Sequence, residues 1–346
     1  MTNAPLRLGI VGYGVGGRYF HAPFVEAAEG IAFVGVVARS ATKQAEVRAD
    51  LPGVPVYPSL DAMIAAGGID AVTITTPPQT RRALVLEAIA AGLHVVADKP
   101  FGPSAAAAQE LVDAAASAGV LLNVFHNRRR DPDFATLRSI VDAGRLGELW
   151  RFHSIMDQDA PDTLETGETG GLLRDLGSHM IDQHLTLMGP AVSVDAKLDI
   201  TDRFGEPTDC GFYLMLRHES GAVSTLSSTK LNYSSTRELR AYGSAGSYVA
   251  SSTDVQAQWL FDGRRPKDDA DAWGYEPESA WGVLATAEGH EPIPSVRGDY
   301  TTFYEDFAAA VRAGSAGPVP GPEGVAVLAV LDAARASAAS GAPVPV

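Results

Sequence analysis

The stretch Leu6–Gly17, which reads LRLGIVGYGVGG, decides the fold of the first part of the chain. Apolar residues alternate at its start, as in a strand, and Gly12, Gly14 and Gly17 follow in the spacing GxGxxG. In a dinucleotide site these glycines permit a tight turn, let the backbone approach a diphosphate and allow close helix–strand packing. Arg18–Ala28 can continue as a helix, whose N-terminus favours negative charge. The stretch therefore predicts a nucleotide-binding unit.

The composition is typical of a soluble globular protein, with 46% apolar and 20% charged residues in a chain of 346, and this length favours two domains. The net charge of −15 argues against nucleic-acid binding as a main activity. Cys210 is the only cysteine, which excludes an internal disulfide and a cysteine-based zinc site. Since we find neither a signal-peptide pattern nor a run of about 18 apolar residues, we expect a cytoplasmic protein without membrane contact.

Strand and helix patterns alternate through roughly the first 125 residues, which predicts a doubly wound parallel sheet with right-handed crossovers. Ser59 and Ser104 are placed to cap helices, and Gly92 and Gly119 to end them. The strands predicted after the first are Ala32–Ala38, Ala71–Thr75, Leu93–Ala97 and Val120–Phe125.

Beyond residue 127 the pattern changes to a series of strands framed by helices, which predicts an α+β domain with a large, mainly antiparallel open sheet. Such a sheet has a face to cover, so we expect a homodimer or homotetramer. The predicted helices are Phe134–Ala143, Thr301–Ala313 and Glu323–Ala339. The predicted strands are Trp150–Asp157, Val192–Ile200, Gly211–Arg217, Ala222–Thr229, Arg237–Gly243, Tyr248–Ala250 and Val255–Phe261.

The residues at the end of the second strand bear on which dinucleotide is bound. Arg39 and Ser40 stand where an NAD-specific enzyme usually places Asp or Glu against the ribose hydroxyls. A carboxylate repels a 2′-phosphate, whereas Arg39 can bind it through two hydrogen bonds and Ser40 can donate to it. With Lys43 close behind, these residues favour NADP(H) over NAD(H). The alternative is that Arg39 is an ordinary surface charge.

Two segments carry groups suited to proton transfer. Lys99 ends a predicted strand, at the edge of a doubly wound sheet where ligands collect, and its ammonium can polarise a substrate oxygen. Asp175 and His179 stand four residues apart and share a helix face, and Asp182 is placed to orient the His179 ring. The alternatives are a surface charge for Lys99 and a structural hydrogen bond for His179.

Taken together, these sites resemble the Gfo/Idh/MocA oxidoreductase family, named for glucose–fructose oxidoreductase and inositol dehydrogenase. The resemblance covers essentially the full length, through the glycine loop, Lys99-Pro100, and the Asp175-x-x-x-His179 helix with its preceding double glycine. Local strings are similar to the NADP-dependent scyllo-inositol dehydrogenase branch, namely Tyr19–Pro23, Phe125–Arg129, Ser178–Gln183, Asp271–Gly274 and Ile293–Val296.

The resemblance implies an α/β fold, with an NADP-binding Rossmann domain over 1–126 and a substrate-binding and oligomerisation α+β domain over 127–346. It implies that Lys99 and His179 are catalytic, that Asp175 supports the substrate or the histidine, and that the Lys99–Pro100 bond is cis. The expected cofactor-binding residues are Gly12, Gly14, Val15, Gly16, Gly17, Arg39, Ser40, Lys43, Thr75, Thr76, Pro77, Lys99 and Pro100. The expected substrate-binding residues are Lys99, His126, Arg128, Asp175 and His179, and no metal site is expected.

The implied activity is reversible hydride transfer between NADP(H) and a secondary alcohol or ketone of a cyclitol or sugar, with scyllo-inositol as the closest example. One alternative is an aldose or anhydro-sugar dehydrogenase of the same family. The other is a non-catalytic NADP-sensing regulatory protein, against which the intact Lys99, Asp175 and His179 argue.

Three positions depart from the family's usual pattern. Asp98 stands in place of the glutamate of Glu-Lys-Pro, Arg81 in place of a histidine common after Thr-Thr-Pro, and Arg130 in place of an aromatic residue near the sugar. These departures bear on the substrate within the branch and not on the family.

Several other side chains have two possible roles each. His21 either faces the cofactor crevice or is packed and hydrogen-bonded, and Arg128 and Arg129 either bind substrate or form interdomain ion pairs. Trp273 and Tyr300 either line a sugar site or fill a core.

Overall fold

The computed structural model describes residues 4–167, 170–251 and 254–346. Its strands are β1 (Leu6–Val11), β2 (Ile31–Val37), β3 (Val56–Tyr57), β4 (Ala71–Ile74), β5 (His94–Ala97), β6 (Leu122–Val124), β7 (Leu149–Asp157), β8 (Ala191–Thr201), β9 (Thr208–His218), β10 (Val223–Thr229), β11 (Thr236–Gly243), β12 (Gly246–Ser251), β13 (Gly282–Thr286), β14 (Gly289–Ile293) and β15 (Val344–Pro345). Its α-helices are α1 (Ala22–Ala27), α2 (Ala41–Asp50), α3 (Leu60–Ala66), α4 (Pro78–Ala90), α5 (Ala105–Ala118), α6 (Pro132–Asp142), α7 (Ser178–Met188), α8 (Val255–Phe261), α9 (Thr301–Ala313) and α10 (Gly321–Ser340).

The chain divides into two compact units, each made of three stretches. The first comprises Met1–Asn127, Ala257–Trp273 and Asp299–Val325, and the second comprises Arg128–Gln256, Gly274–Gly298 and Ala326–Val346. Within the described residues, we find no helix with the length and apolar character needed to cross a membrane.

The first unit contains the predicted parallel sheet. Its six strands lie in the order β3-β2-β1-β4-β5-β6, and every neighbouring pair is parallel. Strand order reverses between β1 and β4, which is the point where doubly wound sheets bind ligands. Strand β4 is buried at all four positions, as expected for a strand covered on both faces. The two-residue strand β3 was not predicted, because it is too short to show a period.

Local capping signals set the ends of the helices in this unit, as predicted. The hydroxyls of Ser59 and Ser104 accept hydrogen bonds from the backbone N–H groups three residues on, at 3.1 and 3.3 Å. Gly92 and Gly119 follow α4 and α5 with φ values of +75° and +67°, a conformation that glycine adopts without strain.

The second unit contains a nine-stranded sheet in the order β14-β13-β12-β11-β7-β10-β9-β8-β15. All neighbouring pairs are antiparallel except β7 and β10, which confirms the predicted, mainly antiparallel sheet. Side chains of α6 such as Phe134 and Leu137 form a buried core with Phe152 of β7 and Leu239 of β11. Strands β13 and β14 were not predicted, since β14 is exposed at four of its five positions and lacks an apolar alternation.

The predicted strand at Val255–Phe261 is wrong, because this segment is helix α8. Its alternation of apolar residues and glutamines resembles a strand, and a strand would place Phe261 on the same face as Val255. Instead Phe261 is 61% exposed, whereas Gln256, Ala257 and Leu260 are buried at helical spacings of three and four residues. The buried glutamine is satisfied, since its side-chain amide donates to the Arg130 carbonyl at 3.2 Å.

Candidate active site

The glycine turn, residues Gly12–Gly17, connects β1 to a π-helical turn over Gly16–His21. Gly12 has a φ of +106°, and a Cβ on Gly17 would lie 2.3 Å from the Gly12 carbonyl oxygen, so only glycine fits at either position. A Cβ on Gly14, by contrast, would meet no atom within 4 Å beyond its chain neighbours. The backbone therefore turns tightly at Gly12 and Gly17 and leaves open space next to Gly14. This geometry fits the close approach of a dinucleotide diphosphate.

The threonines after β4 add to this fit. Thr75 Oγ1 donates to the Gly12 carbonyl at 3.0 Å and so fastens the β4 end to the glycine turn. Thr76 Oγ1 is buried and has no hydrogen-bond partner among the residues that the structure describes. A buried hydroxyl without a protein partner is costly unless a ligand or water satisfies it. Pro77 follows as the residue that precedes α4.

The residues expected to select the cofactor lie between β2 and α2. Arg39 is exposed there, and Ser40 is the N-cap of α2, with its hydroxyl accepting from the Lys43 N–H at 3.2 Å. The Lys43 ammonium lies 2.7 Å from a carboxylate oxygen of Glu46. Arg39 is therefore the better of the two candidate cations for a 2′-phosphate, because Lys43 already has a counter-ion.

The segment after β5 contains the candidate catalytic lysine. The Lys99–Pro100 peptide bond is cis, as the resemblance implies, and the Lys99 N–H donates to Asp98 Oδ1 at 2.9 Å. The buried Arg81 guanidinium donates to the carbonyls of Asp98 at 2.9 Å, Pro100 at 2.7 Å and Thr76 at 2.8 Å. Arg81, one of the departures from the family pattern, thus fixes the chain on both sides of Lys99.

The buried side chain of His21 lies next to this segment. His21 is fully buried, with Nδ1 2.5 Å from the Tyr304 hydroxyl and Nε2 3.6 Å from Asp98 Oδ1. Burial alone would raise the pKa of Asp98, but its interaction with His21 and the charges of Arg81 and Lys99 outweigh burial and lower it to about 2. Of the two roles considered for His21, the packed and hydrogen-bonded one is observed.

Trp273 and Tyr300 fill the core of the first unit. Both are buried, and both rings pack edge-on against Phe24, with centroid separations of 6.0 and 5.2 Å. Core packing is therefore their observed role.

The arginines that follow His126 form ion pairs within the second unit. Arg128 lies 3.1 Å from an Asp131 oxygen and 2.8 Å from an Asp254 oxygen. Arg129 donates to both Asp182 oxygens, at 2.8 and 2.5 Å. This pair is bidentate, because a planar guanidinium matches both oxygens of a carboxylate.

Asp175 and His179 lie on consecutive helical turns of the second unit, a π-helical turn over Leu173–Gly177 and then α7. Gly171 lies two residues before this turn, where φ is +94° and a Cβ would lie 2.1 Å from Asp209 Oδ1. Asp209 in turn accepts the Leu173 N–H at 2.6 Å. The second residue of the double glycine must therefore be glycine, because a side chain there would collide with the Asp209 carboxylate that accepts the Leu173 N–H.

Lys230 is a site residue that the sequence analysis missed. Its ammonium lies 3.0 Å from Asp175 Oδ2, and its side chain is only 3% exposed. Lys230 continues the set of β10 residues that alternate into the interior, Ser224, Leu226 and Ser228. The two-residue period of these buried positions could have indicated that Lys230 also faces the interior. It was not recognised, because two of the buried positions are serines and the period is therefore not one of apolar residues.

The candidate residues fall in both units. The glycine turn, the residues after β2, β4 and β5, and His126 belong to the first unit. Arg128, Asp175, His179 and Lys230 belong to the second. Over the described ranges, no group of three or more His, Cys, Asp or Glu side chains is arranged to hold a metal ion.

Helix α7 also contains His184, a buried histidine from which we predict how the free energy of unfolding depends on pH. Burial lowers the pKa of His184 well below its ordinary value, and the charges of His218 and His153 lower it further. The folded protein therefore keeps His184 neutral, while the unfolded chain takes up a proton near pH 6.5. The contribution of His184 to the free energy of unfolding should be fully present above that pH. Below it, the free energy of unfolding should fall by about 1.4 kcal/mol per pH unit because of this group.

Urea unfolding at several pH values between about 5.5 and 7.5 tests this expectation, since that range spans the ordinary histidine pKa. His184→Leu should make the dependence less steep, whereas the exposed His290→Gln should leave it unchanged. An identical slope in His184→Leu and the unmodified protein would show that His184 is not its source.

Comparisons with known proteins show the family to which the chain belongs. Residues 6–126 match the family model described as "Oxidoreductase family, NAD-binding Rossmann fold", and residues 138–346 match "Oxidoreductase family, C-terminal alpha/beta domain", both of Gfo/Idh/MocA. The chain is 33% identical over 337 residues to the oxidoreductase YdgJ of Escherichia coli, with 94% of each chain covered. It is 31% identical over 342 residues to scyllo-inositol 2-dehydrogenase (NADP(+)) IolW of Bacillus subtilis, covering 96% of this chain and 93% of IolW.

A solved structure shows the same fold over the full length. The oxidoreductase yvaA of Bacillus subtilis superposes with a TM-score of 0.90 at 31% identity, covering 100% of this chain and 99% of that one. Together with the glycine turn and the Asp175–His179 spacing, these matches establish that the chain is an enzyme of the Gfo/Idh/MocA oxidoreductase family.

Proposed function

We propose that this enzyme transfers a hydride between NADP(H) and a secondary alcohol or ketone of a cyclitol or sugar, as in scyllo-inositol. The observation that carries the proposal is that Lys99 follows β5, and Asp175 and His179 lie on consecutive helical turns, in an oxidoreductase-family fold. A protein that only senses a nucleotide has no need of these three groups. The similarity to IolW, named as an NADP⁺-dependent scyllo-inositol dehydrogenase, supports the substrate class.

The glycine turn and Thr76 would hold the dinucleotide, whose nicotinamide accepts or supplies the hydride when bound. We propose that Lys99 donates a hydrogen bond to the reacting oxygen and stabilises the negative charge that develops on it. His179 takes the hydroxyl proton in oxidation and returns it in reduction, since a histidine changes charge near neutral pH. Asp175 accepts hydrogen bonds from substrate hydroxyl groups.

The preference for NADP(H) is also a proposal. Arg39 is an exposed cation at the end of β2, where a ribose 2′-phosphate is expected in this fold, and no Asp or Glu lies between Ala38 and Lys43. A guanidinium at this position supports binding of the phosphate.

We further propose that the enzyme forms a homodimer or homotetramer. Strand β9 lies inside the nine-stranded sheet, yet its Tyr213 side chain is 51% exposed, as on a sheet face left for a partner. The molar mass measured by light scattering should be two or four times that of the 36.2 kDa chain. A monomer mass would contradict this proposal.

A substrate panel tests the proposed reaction. The protein is mixed with NADP⁺ and, separately, with inositol isomers, aldoses and anhydro sugars, and NADPH formation is followed by its absorbance. We expect the highest kcat/KM with an inositol. A higher kcat/KM with an aldose or anhydro sugar would show that this class, and not the inositols, is the substrate class. Binding of NADPH without turnover of any compound would favour the sensor alternative.

A further inference from the structure

Lys230 is a lysine almost entirely removed from solvent. Its side chain is 3% exposed, while that of Asp175, to which it is paired, is 30% exposed. Its ammonium donates to Asp175 Oδ2 at 3.0 Å and to the Thr163 carbonyl at 3.1 Å. The lysine therefore lies behind the carboxylate, and a ligand that reaches Asp175 from solvent meets the carboxylate first.

A buried ammonium is costly unless a counter-charge and hydrogen bonds satisfy it. Here the counter-charge is Asp175, on the π-helical turn that precedes His179, and the second acceptor is in the helical turn Pro161–Thr163. Lys230 itself directly follows β10, where its backbone N–H donates to the Cys210 carbonyl at 3.0 Å. A strand of the sheet thus sets the position of the ammonium, and the ammonium sets the position of the carboxylate.

The pairing also determines which chemistry Asp175 can perform. An adjacent positive charge favours the ionised carboxylate, and an ionised carboxylate accepts hydrogen bonds but cannot donate a proton. An acceptor fixed in this way suits a hydroxyl group of the substrate, whereas it would repel a substrate carboxylate. The geometry therefore favours a neutral polyol with a hydroxyl beside the reacting one.

We propose that Lys230 is a positioning residue that holds Asp175 as a fixed, ionised acceptor for a substrate hydroxyl. This inference rests on the proposed function, because it takes Asp175 as a substrate-binding group. Lys230 acts through Asp175, so its contribution should disappear when the carboxylate is removed.

A double-mutant cycle tests the proposal on the intact enzyme with the best polyol of the panel. Lys230→Met should lower kcat/KM by up to about 100-fold, the scale expected when a reacting group is misplaced by about 1 Å. In an Asp175→Asn background the same substitution should change kcat/KM less than about twofold, because coupled residues are not additive. The NADPH dissociation constant should stay unchanged.

Two further variants complete the design. Lys197→Met is the matched control, since Lys197 lies on β8 of the same unit but is 76% exposed and 3.9 Å from Asp199, and it should keep full activity. Lys230→Arg keeps the charge and should recover part of the activity lost in Lys230→Met. If Lys230→Met does not fold, Lys230→Arg takes its place in the cycle, with a smaller loss expected.

A second readout does not depend on turnover. In protein labelled with ¹³C-aspartate, the Asp175 carboxyl signal is assigned by its loss in Asp175→Asn. The pH at which this signal titrates should be higher in the Lys230 variant than in the unmodified protein. An unchanged titration, wild-type kcat/KM in Lys230→Met, or equal losses in both backgrounds would overturn the proposal, whereas failure of the panel alone would overturn only the proposed function.

Discussion

Replacing either Lys99 or His179 by alanine should lower kcat by about 10²–10⁴-fold, the range typical for loss of an acid–base group. Lys99 follows β5 at the cis bond, and Arg81 and Asp98 hold the chain around it. His179 lies in the first turn of α7 and is buried. Neither residue is expected to contribute most of the dinucleotide affinity, so the NADPH dissociation constant should change little.

The double variant should lose less than the product of the two single losses, because both groups act on the same oxygen and proton. Lys267→Ala and His290→Ala are matched controls, since both side chains are exposed and lie in the units of Lys99 and His179, respectively. Both controls should keep normal turnover. If either Lys99→Ala or His179→Ala keeps wild-type kcat on a verified substrate, that residue is structural and the proposed mechanism fails.

Replacing Arg39 by aspartate should reverse the cofactor preference. Charged hydrogen bonds to the 2′-phosphate should favour NADP(H) by about 1.5–3 kcal/mol, or roughly 10- to 150-fold in the ratio of dissociation constants. The carboxylate of Arg39→Asp would repel that phosphate and accept hydrogen bonds from the ribose hydroxyls of NAD(H). Ser40 is a less suitable target, because its hydroxyl caps α2 and its loss would also affect the helix.

Titration of the protein with each cofactor, followed by fluorescence, gives both dissociation constants. Arg48→Asp is the matched control, because it makes the same charge change at an exposed position of α2. It should leave the preference for NADP(H) in place. Equal dissociation constants for NADP(H) and NAD(H) in the unmodified protein would show that Arg39 does not bind the 2′-phosphate.

The features that could be predicted from the sequence are those fixed by neighbouring residues. The glycine turn, the serine caps of α3 and α5, and the alternation of β and α segments each depend on a few consecutive positions. The structure confirms the parallel sheet and the antiparallel sheet that these signals indicated. The Asp175–His179 spacing belongs to the same class, because four residues span about one helical turn.

The features that could not be predicted depend on residues far apart in the chain. Arg129 pairs with Asp182, 53 residues on, and Lys230 pairs with Asp175 across 55 residues. A local pattern places a charge near the end of a strand or helix but does not identify its counter-ion. Helix α8 shows a second limit of local patterns. A seven-residue segment with alternating polarity fits both the period of a strand and the period of a helix, and only its packing against other segments decides which face is buried.

Transfer of deuterium from substrate to cofactor tests the central claim most directly. An inositol carrying deuterium on its ring carbons is incubated with NADP⁺ and the enzyme, and the reduced cofactor and the product are examined by mass spectrometry. We predict NADPH with one deuterium on the nicotinamide ring together with a ring ketone, because the hydride comes from the carbon that bears the reacting hydroxyl. Reduced cofactor without deuterium, or no reduction by any labelled cyclitol or sugar, would contradict the account.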